Sequence, residues 1–129
     1  MALKIALDAN RYSDLARGDV QLQFQLEAAE RIVLPIVVVG ELRAGFAVGR
    51  KGRENEGVLQ RFLAKPEVSV LALDRSTTQV YAALFRQLRQ QGTPIPINDL
   101  WIAALVVQHD LVLCTRDGHF QALPQLDLL

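Results

Sequence analysis

Four acids stand where a carboxylate is costly. Asp8 closes the apolar run Leu3 to Leu7. Glu41 follows Ile36-Val37-Val38-Val39-Gly40. Asp99 opens the apolar stretch Leu100 to Val107. Asp117 comes just after Leu111 to Thr115. An acid at a buried strand end, or on an apolar helix, must be solvated, hydrogen-bonded or bound to a cation. Four such acids point to one shared cation site. Hard divalent ions prefer oxygen ligands and keep several waters. Ions held in this way make water nucleophilic and stabilise charge-rich transition states.

The elements that would position these acids alternate along the chain. Leu3 to Leu7 predicts a strand, and Asn10 to Ala16 a short helix stopped by Gly18. Val20 to Leu26 alternates apolar and polar residues, a strand pattern. Its Gln, Leu and Glu residues favour helix, and its place in the chain tips the reading that way. Arg31 to Leu34 predicts a strand. Pro35 suits the first turn of a helix running through Glu41 to about Val48. Glu54 to Ala64 predicts a helix with Val58, Leu59, Phe62 and Leu63 on one face, and Val68 to Leu73 a strand. Asp74 would cap a helix from Arg75 to Gln91, with Gly92 just past its end. Thr93 to Pro96 is an extended linker. Asn98 or Asp99 would start a helix Leu100 to Gln108, apolar all round and therefore buried. Leu111 to Thr115 predicts a strand, and Leu126 to Leu128 a last short one. This alternation predicts an α/β domain with a mainly parallel central sheet flanked by helices. Ligands bind at the carboxyl ends of such strands, where Asp8 and Asp117 both fall.

The 129 residues read as one domain, 1–129, and a 50% hydrophobic composition supplies its core. Zero net charge excludes a global attraction to nucleic acid or membrane, so a polyanion would need a local basic patch or a metal. The single Cys114 excludes an intrachain disulfide and a cysteine-rich zinc site; inside its apolar run it reads as a buried hydrophobe. No apolar run approaches the ~18 residues of a membrane span. Lys4 and Asp8 interrupt any early signal-like segment, so the expectation is a soluble, cytoplasmic protein without a membrane partner.

Four segments together resemble the PIN-domain family, and within it the VapC-type toxin ribonucleases. Leu7-Asp8-Ala9-Asn10 is similar to the family's opening hydrophobic–Asp–x–Asn. Gly40-Glu41-Leu42-Arg43-Ala44-Gly45 resembles its helical Glu–Leu–Arg segment. Asn98-Asp99-Leu100-Trp101-Ile102-Ala103-Ala104 looks like its most recognisable block. Thr115-Arg116-Asp117-Gly118-His119-Phe120 resembles its closing Thr–Arg–Asp–x–x–Phe. The order matches across nearly the whole chain. One departure is Ala9, where the family often has Thr or Ser. The resemblance implies a three-layer PIN-like sandwich and a Mg²⁺- or Mn²⁺-dependent endoribonuclease acting on RNA. It further implies a cognate antitoxin and a homodimer.

On that reading Asp8 and Asp99 are direct metal ligands, and Asp117 completes the site or holds a second ion. Glu41 binds metal through water or acts as a base. Asn98 and Thr115 would orient ligands or waters. Each acid also has a plainer role: a cap for Asp8 and Asp99, a solvated helix face for Glu41, an Asp-Gly turn for Asp117. Arg43, Arg50, Lys51, Arg53 and Arg116 are RNA-grip candidates, balanced against ordinary solvated charges. His109 and His119 lack zinc spacing. His109 reads as a helix-end residue; His119, near Asp117, could line the site but reads first as surface. Trp101 and Phe120 read as core, and Gly40 and Gly45 as places for close helix packing. The competing reading is a non-catalytic PIN-fold binding protein, which loss of an acid would favour; all four are present. A haloacid-dehalogenase-like phosphatase would want Asp–x–Asp where this chain has Asp8-Ala9-Asn10. A receiver domain would want an acceptor Asp on its third strand.

Overall fold

The computed structural model describes residues 3–129. Among them the chain forms β1 (Leu3–Leu7), α1 (Ala9–Ala16), α2 (Val20–Glu27), β2 (Ala29–Pro35), α3 (Ile36–Val48), α4 (Gly52–Leu63), β3 (Val68–Leu71), α5 (Arg75–Gln91), α6 (Ile97–Gln108), β4 (Val112–Cys114), the 3₁₀ helix η1 (Gly118–Ala122) and β5 (Asp127–Leu128). The strands lie in the order β3-β2-β1-β4-β5, and every pairing is parallel. Helices flank this sheet in an α/β three-layer sandwich.

β1 sits at the centre, and Ile5, Ala6 and Leu7 are wholly buried. Residues covered on both faces must be apolar, which is why this strand does not alternate. From β1 the chain builds outward through β2 and β3, then crosses back to lay β4 on the other side. The reversal opens a crevice at the carboxyl ends of β1 and β4, the usual ligand position in an open parallel sheet.

Segment 20–26 is helical. Leu22 and Leu26, four apart, are buried, whereas Val20 and Phe24 are 76% and 74% exposed. The apparent strand alternation is two helical faces seen at a spacing of two. Pro35 ends β2 and precedes the first residue of α3 instead of occupying its first turn. α6 begins at Ile97, directly after Pro96, so Asn98 and Asp99 lie in its first turn and neither caps it. Pro96 needs no backbone donor there, and its fixed φ leads into the helix. Gly40 and Gly45 permit no close packing, because a Cβ at either would meet nothing within 4 Å. The tight position is Gly52, where a Cβ would lie 2.5 Å from the Phe46 carbonyl oxygen.

Candidate active site

Strand register brings the first two site residues together. Leu7 of β1 pairs with Cys114 of β4, so the next residue on each strand, Asp8 and Thr115, leave the sheet side by side. The Asp8 N–H donates to the Cys114 carbonyl at 3.3 Å. Asp8 is only 6% exposed. Its Oδ1 caps α1 by accepting from the Arg11 N–H at 2.9 Å. Its Oδ2 accepts from the Thr115 hydroxyl. The capping role therefore uses one oxygen, and the other is held by Thr115 at the end of β4. Thr115 Oγ1 also accepts from the Asp117 N–H at 3.0 Å, linking Asp8 to the Asp117 backbone.

A second group gathers where α6 and η1 meet. Asp117 Oδ1 accepts from the His119 N–H at 2.9 Å and caps η1. His119 Nδ1 lies 3.0 Å from Asp99 Oδ2 and 3.0 Å from Asp117 Oδ1. The His119 side chain is half exposed, as the surface reading has it, and its Nδ1 also bridges two of the expected metal acids. Asp99, Asp117 and His119 offer ligand atoms that all lie within 4.8 Å of one another. Asp8 and Glu41 stand outside that tight trio.

The four acids nevertheless share one electrostatic neighbourhood. Burial pushes the Asp99 carboxyl above its usual range; the His119 hydrogen bond pulls it back, and the charges of Asp117 and Asp8 push it up again. Glu41, on α3, is also pushed up, first by burial and then by Asp99 and Asp8, with Asn98 opposing. His119 moves upward, chiefly because it hydrogen-bonds Asp99. Buried like charges resist ionising together, so the site favours any cation that enters it.

The basic candidates divide into two groups. Arg43 grips Glu56 through Nε and Nη2, both at 3.0 Å. Arg116 donates from Nε to Asp14 Oδ2 at 2.9 Å and from Nη2 to Oδ1 at 3.4 Å. Both guanidinium groups are thus engaged within the chain. Arg50, Lys51 and Arg53 are exposed at the corner between α3 and α4. Phe120 is wholly buried, as expected. Trp101 is only partly buried and stacks on Tyr81, centroids 3.8 Å apart. Cys114 is wholly buried, and burial raises its thiol.

The PIN-domain family model matches residues 5–126. This chain belongs to the PIN-domain family. Ribonuclease VapC4 of Mycobacterium tuberculosis is 29% identical over 94 residues, covering 73% of this chain and 72% of the relative. Toxin FitB of Neisseria gonorrhoeae is 32% identical over 98 residues, covering 72% of this chain and 70% of its own. The crystal structure of VapBC2 from Rickettsia felis, bound to a promoter DNA fragment, superposes with a TM-score of 0.88. It covers 98% of both chains at 24% identity.

In this PIN domain, two contacts escaped the sequence. His119 found its partner 20 residues away, across the break between α6 and η1. Asp14, which reads from the sequence as a loop, cap or surface acid, accepts from Arg116 across 102 residues and from Arg11 Nη1 at 3.1 Å. Only the motif residue Arg116, lying between two site residues, hinted that something must hold that loop.

Proposed function

We infer that this PIN-domain protein is a Mg²⁺- or Mn²⁺-dependent endoribonuclease that hydrolyses RNA phosphodiester bonds as the toxin of a toxin–antitoxin pair. The observation that carries this reading is the mutual electrostatic reach of Asp8, Glu41, Asp99 and Asp117: Glu41 is held above its usual range by burial, Asp99 and Asp8, and Asp99 by burial, Asp117 and Asp8. The names of the ribonuclease and toxin relatives agree with it. The donor set is oxygen-rich and crowded with like charge, which suits a hard divalent ion.

Asp8, Asp99 and Asp117 are the residues assigned to hold the ion. When bound, it supplies Lewis acidity to the scissile phosphate and to an attacking water. Glu41, whose carboxyl is already biased toward holding a proton, accepts one from that water. Thr115 keeps Asp8 oriented, and Asn98 does the same for Glu41. Arg50, Lys51 and Arg53 form an exposed basic corner suited to gripping the RNA backbone, a contact that salt would weaken. Arg43 and Arg116, tied to Glu56 and Asp14, are weaker candidates.

The same reading includes a cognate antitoxin, a homodimer and action in the cytoplasm. Exposed apolar side chains such as Phe24, Phe85 and Ile97 offer surface for protein partners. No helix among the described residues is long and apolar enough to cross a membrane. The test is incubation of total RNA with antitoxin-free protein in Mg²⁺, Mn²⁺ or EDTA. Defined fragments with either ion and intact RNA in EDTA are expected. Equal cleavage in EDTA, or none with either ion, would contradict the reading.

A further inference from the structure

The segment between β4 and η1, residues 115–117, carries Thr115 and Asp117 and has no helix or strand of its own. Two successive side chains fasten it to α1. Thr115 donates to Asp8 at the start of that helix. Arg116 donates twice to Asp14, in its second turn. Asp14 is 16% exposed and also accepts from Arg11 Nη1, so it is fixed from its own helix before it meets the loop. Arg17 approaches the same carboxylate at 3.9 Å. Arg11 Nη1 also lies 3.9 Å from Asp19 Oδ2, and its buried Nε has no hydrogen-bond partner.

An isolated exposed ion pair contributes little. This one differs by its position. Arg116 is covalently next to Asp117, and Asp117 must stand within reach of Asp99 and His119. A fork of two N–H groups on one carboxylate fixes direction as well as distance. With Thr115 and Arg116 both fastened to α1 just before it, and its own N–H held by Thr115 Oγ1, Asp117 leaves the loop in a restricted direction.

We propose that Asp14 is a positioning residue for the metal site: through Arg116 it clamps the 115–117 loop to α1 and aims Asp117 at Asp99. Asp14 touches neither metal nor RNA in this account. It rests on the metal-site reading given above.

The test is Mn²⁺ binding by isothermal titration calorimetry, with metal-free melting temperature measured in parallel. Wild type, Asp14→Asn, Asp14→Glu, Arg116→Gln and the Asp14→Asn/Arg116→Gln double variant are compared well below their melting points. Asp14→Asn and Arg116→Gln are each expected to weaken Mn²⁺ binding roughly tenfold, as loss of an orienting contact does. The double variant should be no weaker than either single, because the two act through each other. Asp14→Glu, which keeps the carboxylate, should bind within about twofold of wild type, a rescue that a purely structural acid does not require. If Asp14→Asn does not fold, Arg116→Gln, altered at a half-exposed side chain, carries the test against wild type.

Wild-type affinity in both single variants, with only the melting temperature lowered, would overturn the proposal. So would a loss in Arg116→Gln that is absent from a folded Asp14→Asn. No Mn²⁺ binding by wild type would overturn the metal site itself, and this proposal with it.

Discussion

Glu41 shows how the site trades stability for readiness to bind a cation. Burial and the neighbouring Asp99 and Asp8 raise its carboxyl in the folded chain. Between its unfolded and folded values, the folded state therefore binds more protons than the unfolded one. The stability this group contributes falls as pH rises through that window and is gone above it. Glu41→Gln removes the effect. The metal-free variant should melt roughly 1–3 °C higher than wild type at neutral pH, a small gain because the group is partly solvated. The gain should vanish below about pH 4, where an ordinary glutamate is protonated. Scanning calorimetry at the two pH values checks this; equal melting temperatures at neutral pH would contradict it. The same upward shifts at Glu41 and Asp99 make protons compete with metal, so Mn²⁺ affinity should fall as pH drops through the raised range.

At the scale of elements, the acids are useful only because strands and helices end where they do. Asp8 and Thr115 are neighbours because Leu7 and Cys114 are paired. The corner between α3 and α4 is set by Gly52, whose missing Cβ lets the Phe46 carbonyl approach. Gly52→Ala must push that corner apart. A loss of about 1–3 kcal/mol is expected from chemical denaturation, as for other overpacked sites. Unchanged stability would show that the corner can relax. Much of this level was legible in the sequence. The apolar runs located β1 and α6, and Asp74 and Gly92 marked the ends of α5. Boundaries were less legible. Asn98 and Asp99 are strong capping types, yet Pro96 two residues earlier already starts the helix. The alternation of Val20 to Leu26 could not decide its element alone, because spacing cannot say which of two helical faces is covered; composition and place in the chain favoured the helix that forms.

At the scale of the whole molecule, what the sequence left unread is long-range. The four acids could be chosen from motif and position, but the contacts that hold them span the chain. Thr115 reaches Asp8 across 107 residues and Arg116 reaches Asp14 across 102. His119 read as surface because nothing local to it announces Asp99. The fold creates these meetings by placing β4 beside β1 after a crossover that leaves β2 and β3 on the other side. The crevice is thus a property of the topology, and the carboxylates are what the chain puts there.

The most direct measurement is RNA cleavage in Mn²⁺ by wild type, Asp8→Asn, Asp99→Asn and the control Asp110→Asn, with folding of each verified by circular dichroism. Asp110 has a φ of 53°, a conformation that Asn also accepts readily, and it lies at the far end of α6. Asp8→Asn and Asp99→Asn are expected to lose activity by roughly 100-fold or more, since the metal would lose a direct ligand. Asp110→Asn should stay within about twofold of wild type. Wild-type cleavage by a folded Asp99→Asn would contradict the account, because no nuclease centred on these carboxylates could spare it.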